Sequence, residues 1–233
     1  MGCSASRQKY DSFDLLAAKP QPLKAVVPGS KLLTQPNTYE LASKIFRLRE
    51  DIDIKDSSGA VAFKILGKLI SLRDRQYFSD SKGNKVAMLQ KKLLTIRPTY
   101  ILYSYEPNFA GQPSVDTDGG KPIYRMAMIQ SVLLSLPRRF TYKIYTAESG
   151  NLEPEEAGEI STICSMYHSG TMVNQSGEPM WKLTQTGFFS GNAGGSLASG
   201  YKLEVCAGMD PMQAICAAIA VDQLLSEGGG DSS

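Results

Sequence analysis

Hydrophobic and polar residues alternate along most of this chain in short runs of period two. Val61, Phe63 and Ile65 alternate with Ala62 and Lys64, and Phe140, Tyr142 and Ile144 alternate with Arg139, Thr141 and Lys143. That period is the signature of a strand buried on one face. Ile52–Ile54 leads into Lys55-Asp56-Ser57-Ser58-Gly59, residues that tolerate tight bends. Gly67 interrupts the next run, which Lys68–Leu72 resumes. Tyr77-Phe78 runs into Asp80-Ser81-Lys82-Gly83-Asn84 and out into Val86–Leu89, a second hairpin signal. Tyr100–Tyr105 and Ile123–Leu134 are rich in β-branched and aromatic residues, and Trp181–Leu183 and Tyr201–Val205 continue the pattern. Hairpins at this spacing predict antiparallel β structure, a barrel or a sandwich.

One segment departs from period two. Asp210-Pro211 reads as a helix start, with Asp as N-cap and Pro at the first helical position. From Ala214 to Val221 there is no polar residue on any side. A helix that is apolar all round is buried or spans a membrane. Spanning needs about 20 apolar residues, and this run stops at Asp222-Gln223. The helix is therefore expected in the middle of the β structure, where its Ala and Cys side chains let strands close around it.

The flanks differ in kind. Residues 1–38 carry Pro20, Pro22, Pro28 and Pro36 and read as a flexible tether. The folded domain is expected over residues 39–227, followed by a disordered tail, 228–233. Glu106–Gly120, Ala147–Glu159 and Gly187–Gly200 read as surface loops.

Charge adds an asymmetry that the net value of +2 hides. Residues 1–143 hold 23 Lys/Arg against 12 Asp/Glu, whereas residues 144–233 hold 2 against 11. Either basic and acidic strands neutralise each other in the fold, or the basic half meets an anionic lipid surface. Cys3, Cys164, Cys206 and Cys216 have no pairing or CxxC spacing, which argues against disulfides and zinc and fits a reducing compartment. No apolar signal-peptide segment follows the start.

The first six residues, Met-Gly-Cys-Ser-Ala-Ser, carry the sharpest functional signal. With Met1 removed, Gly2 exposes the amine that N-myristoylation requires, and Ser6 stands where that signal wants Ser or Thr. Cys3 is placed for palmitoylation. One myristoyl chain holds a membrane only marginally, and a second chain or nearby basic residues such as Arg7 and Lys9 make the hold stable. The expectation is a lipid anchor on the cytoplasmic face of a membrane, the plasma membrane first.

Three blocks resemble a known family. They are Asp53-Ile54-Lys55-Asp56-Ser57-Ser58-Gly59-Ala60-Val61-Ala62-Phe63-Lys64-Ile65, the stretch Gly67–Ile96 with Ser71-Leu72-Arg73-Asp74-Arg75-Gln76-Tyr77-Phe78, and Glu204–Pro211 leading into the helix and Asp222. Together they resemble the LURP-one-related family, which belongs with tubby C-terminal domains and phospholipid scramblases. The resemblance implies a closed antiparallel barrel of about twelve strands around a buried C-terminal hydrophobic helix. Tubby domains bind phosphoinositides through basic barrel residues, and scramblases are credited with calcium-dependent lipid movement, but a fold does not fix a function.

Catalytic signals are weak. His168 is the only histidine, and its Cys164-x-x-x-His168 spacing has no orienting partner in view. Gly195 and Gly200 match P-loop spacing, but Tyr201 stands where Lys is needed. Glu153, Glu155, Glu156 and Glu159 do not follow an EF-hand pattern. What remains is basic surface: Arg73, Arg75, Lys82, Lys85, Lys91, Lys92 and Arg97, then Arg138, Arg139 and Lys143, as candidate contacts to lipid headgroups. The sequence thus reads as a non-enzymatic, membrane-associated protein without cofactor or metal, binding anionic phospholipid or a protein partner through its barrel, with no sign of nucleic-acid binding. A scramblase-like lipid handler and an acylated enzyme are the alternatives.

Overall fold

The computed structural model describes residues 18, 22, 27, 30–42, 51–66, 75–133, 135, 138–147, 153–162, 169–186 and 200–227 of the 233. These form β1 (Asn37–Ala42), β2 (Ile52–Asp56), β3 (Val61–Leu66), β4 (Arg75–Asp80), β5 (Lys85–Lys91), β6 (Thr99–Ser104), β7 (Asp116–Asp118), β8 (Lys121–Ser131), β9 (Arg139–Ile144), β10 (Glu155–Thr162), β11 (Gly170–Asn174), β12 (Pro179–Thr186), β13 (Gly200–Val205) and α1 (Pro211–Glu227). The expected run Lys68–Leu72 and the tail from residue 228 lie outside the described residues.

Sequential strands pair antiparallel, β1 pairs β13, and β6 pairs β8, which closes twelve strands into a barrel. Closure leaves no free sheet edge. Only β7 stands apart, pairing with the start of β8 alone.

The register follows from the turns. In the β2–β3 hairpin the Asp56 carboxylate accepts the Ser58 and Ala60 N–H groups, and Gly59 sits at φ 81°. In β4–β5, Asp80 accepts from Lys82 and Asn84, with Gly83 at φ 87°. The β11–β12 hairpin repeats the device with an amide: Asn174 accepts from Ser176 and Glu178, with Gly177 at φ 79°. Each is a turn closed by a left-handed glycine, with a register shift beside it. The third, Asn174-Gln175-Ser176-Gly177, has the same signature as the two recognised in the sequence.

The helix fills the barrel as expected. Residues 211–222 are buried, and Phe78, Leu102, Tyr142, Trp181 and Leu203 from five strands join them in one core. Beside α1, Trp181, Ala218, Val221 and Asp222 line a cavity about the size of one water. Asp210 caps the helix by accepting the Met212 N–H at 2.9 Å. At the other end the Arg138 guanidinium donates to the Leu224 and Leu225 carbonyls, the placement that complements the helix dipole. No helix of the described residues is long and apolar enough to cross a membrane.

Besides Ala147–Glu159, read as a loop although Glu155–Glu159 pair with β9 as the start of β10, two boundaries differ from expectation. Strand β1 begins at Asn37, and the preceding segment is partly built into the domain. The Val27 N–H and the Ser30 hydroxyl donate to Asp210 at 2.7 and 2.6 Å, and Leu33 exchanges backbone bonds with Gly208 and Met209. Val27 is fully buried. Proline spacing suggested a tether throughout, but a carboxylate buried at a helix start needs donors, and this segment supplies them. The other difference is Glu106–Gly120. This stretch contains β7, and Gln112 in it is buried. Tyr77, Met88, Ile101, Tyr103 and Ile123 form a second small core separate from the interior.

Candidate functional site

Among the described residues, Asp118 of β7 centres a dense polar cluster. Gly119 and Gly120 both have positive φ, so the two-residue turn to Lys121 closes tightly and brings β7 back along β8. One Asp118 oxygen accepts from the Tyr77 hydroxyl at 2.8 Å and from Arg75 at 3.1 Å. The other accepts from the Tyr105 hydroxyl at 2.9 Å and lies 3.8 Å from the Lys85 ammonium. Arg75 also donates to Gln90, and Lys85 lies 4.4 Å from the Tyr77 ring centroid. Burial alone would raise the Asp118 pKa, yet the two tyrosine hydroxyls and the two cations hold it below 3.8. Burial and the bond to Asp118 together raise the Tyr77 hydroxyl.

This cluster divides the candidate headgroup residues. Arg75 and Lys85 face an internal carboxylate, which takes the place an anionic headgroup oxygen would occupy. Arg138 caps α1, and Arg139 pairs with Glu159 at 3.4 Å. Lys143 is half-buried near the end of β9, in register with Met128 and Glu156. Lys82 is exposed on the β4–β5 turn. Antiparallel order puts that turn at the end of the barrel opposite the β5–β6 loop, where Lys91, Lys92 and Arg97 gather. The ten residues therefore do not form one patch. Gly2, Cys3 and Arg73 lie outside the described residues, as do Cys164 and His168.

The β5–β6 loop is held by specific bonds. The Lys92 N–H donates to the Thr99 carbonyl at 2.8 Å, and the Thr95 and Thr99 hydroxyls both donate to the Arg97 carbonyl. The Ser131 N–H donates to the Pro98 carbonyl at 3.0 Å, which joins this loop to the β8–β9 connection. Lys92 and Arg97 are exposed, and among the described residues neither has a carboxylate partner within salt-bridge distance. Sequence reading missed Asp118, Tyr77 and Tyr105. The available signal was Asp118-Gly119-Gly120, a hairpin turn inside a stretch read as loop.

The family model described as LURP-one-related matches residues 37–222, from the first residue of β1 to Asp222 in α1. The chain belongs to the LURP-one-related family. The X-ray structure of a protein from Arabidopsis thaliana superposes with a TM-score of 0.56 at 12% identity, covering 87% of this chain and 99% of that one. At that identity the likeness shows the fold. No curated protein matches the chain. In the LURP-one-related domain seen here, the Asp118 cluster and the β5–β6 loop both lie within the matched region, and Gly2 and Cys3 precede it.

Proposed function

We propose that this LURP-one-related protein is a lipid-anchored, non-enzymatic membrane module whose barrel binds anionic lipid headgroups. Gly2 and Cys3 supply the acyl sites, and the barrel contributes its own, weaker affinity. The observation that carries the barrel's part is the contrast between its cations. Arg75, Arg138 and Arg139 have partners within the chain, while Lys92 and Arg97 project together from one braced loop. Each exposed cation near an anionic bilayer contributes about 1 kcal/mol, screened by salt.

The test uses the full chain, because Val27 and Ser30 belong to the fold. With acylation enabled, the parent should sediment with membranes at high salt and Gly2→Ala should not. Without acyl groups, the chain should bind phosphatidylserine vesicles at low salt and ignore neutral ones, and Lys92→Glu with Arg97→Glu should abolish that binding. Retention of Gly2→Ala in membranes at high salt would remove the anchor. Indifference of the parent to vesicle charge would remove the headgroup reading.

A further inference from the structure

The same loop carries the most exposed aliphatic side chains among the described residues. Leu94 is 105% exposed, Ile96 92% and Leu93 52%. Leu133, at 47%, lies on the adjoining β8–β9 connection. Thr95 between them is half-buried and bonded to the loop's own backbone, so Leu94 and Ile96 project on either side of a fixed point. Leu94 has φ 59°, and every other described residue with positive φ is glycine. A γ-branched residue in the left-handed region is disfavoured. The loop bears that cost with the Leu94 side chain turned to solvent.

We propose that Leu94 and Ile96 insert into the interfacial layer of an anionic bilayer while Lys92 and Arg97 engage its headgroups. Apolar side chains flanked by cations on a loop tip match the layering of such a surface, with acyl chains beneath phosphates. The charge argues for a bilayer over a tip-to-tip pair of this chain, since two basic tips repel. The geometry also sets an orientation. The β5–β6 and β8–β9 connections lie at the C-terminal end of α1, so that end of the barrel faces the membrane. The N-terminal segment docks at the opposite end, through Asp210. From Gly2 to Val27 is 25 residues, a reach of up to about 80 Å when extended. The 17-residue helix along the barrel is about 25 Å long. Acyl chains and loop tip can therefore enter the same leaflet.

This inference rests on the headgroup reading, and the experiment separates the two. The probe is phosphatidylcholine vesicles with and without phosphatidylserine, added to the full, non-acylated chain. Trp181 is the only tryptophan and is fully buried, so a Leu94→Trp variant adds an independent reporter. Its emission should shift to the blue on anionic vesicles and be quenched by brominated acyl chains. Leu94→Ser with Ile96→Ser should weaken partitioning at least tenfold while leaving the fold unchanged, since both side chains are in solvent. Lys92→Gln or Arg97→Gln should each cost about fivefold at low salt. If the parent binds anionic vesicles but Leu94→Trp neither shifts nor is quenched, insertion is wrong and the headgroup reading stands. If the parent binds no vesicle at all, both fall. Self-association that the double serine variant abolishes, without vesicle binding, would assign the tip to a second copy and overturn the proposal.

Discussion

Asp210→Ala should be among the most damaging single changes that leave the apolar core intact. The carboxylate is fully buried and accepts from the Val27 N–H, the Ser30 hydroxyl, the Met212 N–H and the Gln213 amide. Gln213 in turn accepts from the buried Tyr142 hydroxyl. Loss of the N-cap costs about 1 kcal/mol. The buried Val27 and Gln213 donors, left without an acceptor, cost about 1–3 kcal/mol each. Against this, alanine escapes the burial that raises the Asp210 pKa despite four donors. A net loss of about 3 kcal/mol follows, out of a total of about 5–15. For a domain of this size that is a melting shift of about 6–12 °C. Circular dichroism melts of parent, Asp210→Ala and Ser30→Ala measure it, and proteolysis near residue 27 reports whether the N-terminal segment has detached. An Asp210→Ala protein that melts within about 2 °C of the parent, with that segment still protected, would refute the reasoning.

Gly158→Ala should not yield a stable barrel, because a Cβ there would stand 2.2 Å from the Val173 carbonyl oxygen, a backbone atom that cannot move aside; soluble yield and a melt check this. Stability should fall as pH drops below about 4. Hydrogen bonds hold Asp56 (from the Ser58 hydroxyl first) and Asp80 (from the Asn84 amide first) below 3.8. At Asp118 burial opposes the hydroxyls and cations that do the same. A depressed carboxylate contributes stability above its unfolded pKa and loses it as acid protonates the folded form. Asp210, raised by burial, has the opposite sign: its contribution is present below 3.8 and disappears as pH rises through its folded pKa. Melting temperature against pH should therefore fall on the acid side in the parent and fall less in Asp118→Asn.

The local rules were legible because they act over few residues. Period-two alternation marked β3 and β9, Asp-x-x-Gly turns marked two hairpins, and Asp210-Pro211 followed by unbroken apolarity marked a buried helix. The proposed acylation of Gly2 and Cys3 is likewise argued from a linear signal. What the linear chain could not show is which distant groups meet. Nothing near Arg75 or Lys85 announces that Asp118, brought over by a two-glycine turn, will sit against them. Nothing near Arg138 announces the carbonyls of Leu224 and Leu225. A list of basic residues thus became two classes, those balanced inside the fold and those left outside it. Nor could the proline-rich segment before Asn37 reveal that Asp210, buried at the helix start, would draw donors from Val27 and Ser30. Hydrophobic pattern decides which face of a strand is inside; only closure of the barrel decides which charges share a face, because Coulomb and hydrogen-bond energies depend on distances in space and the sequence records distances along the chain.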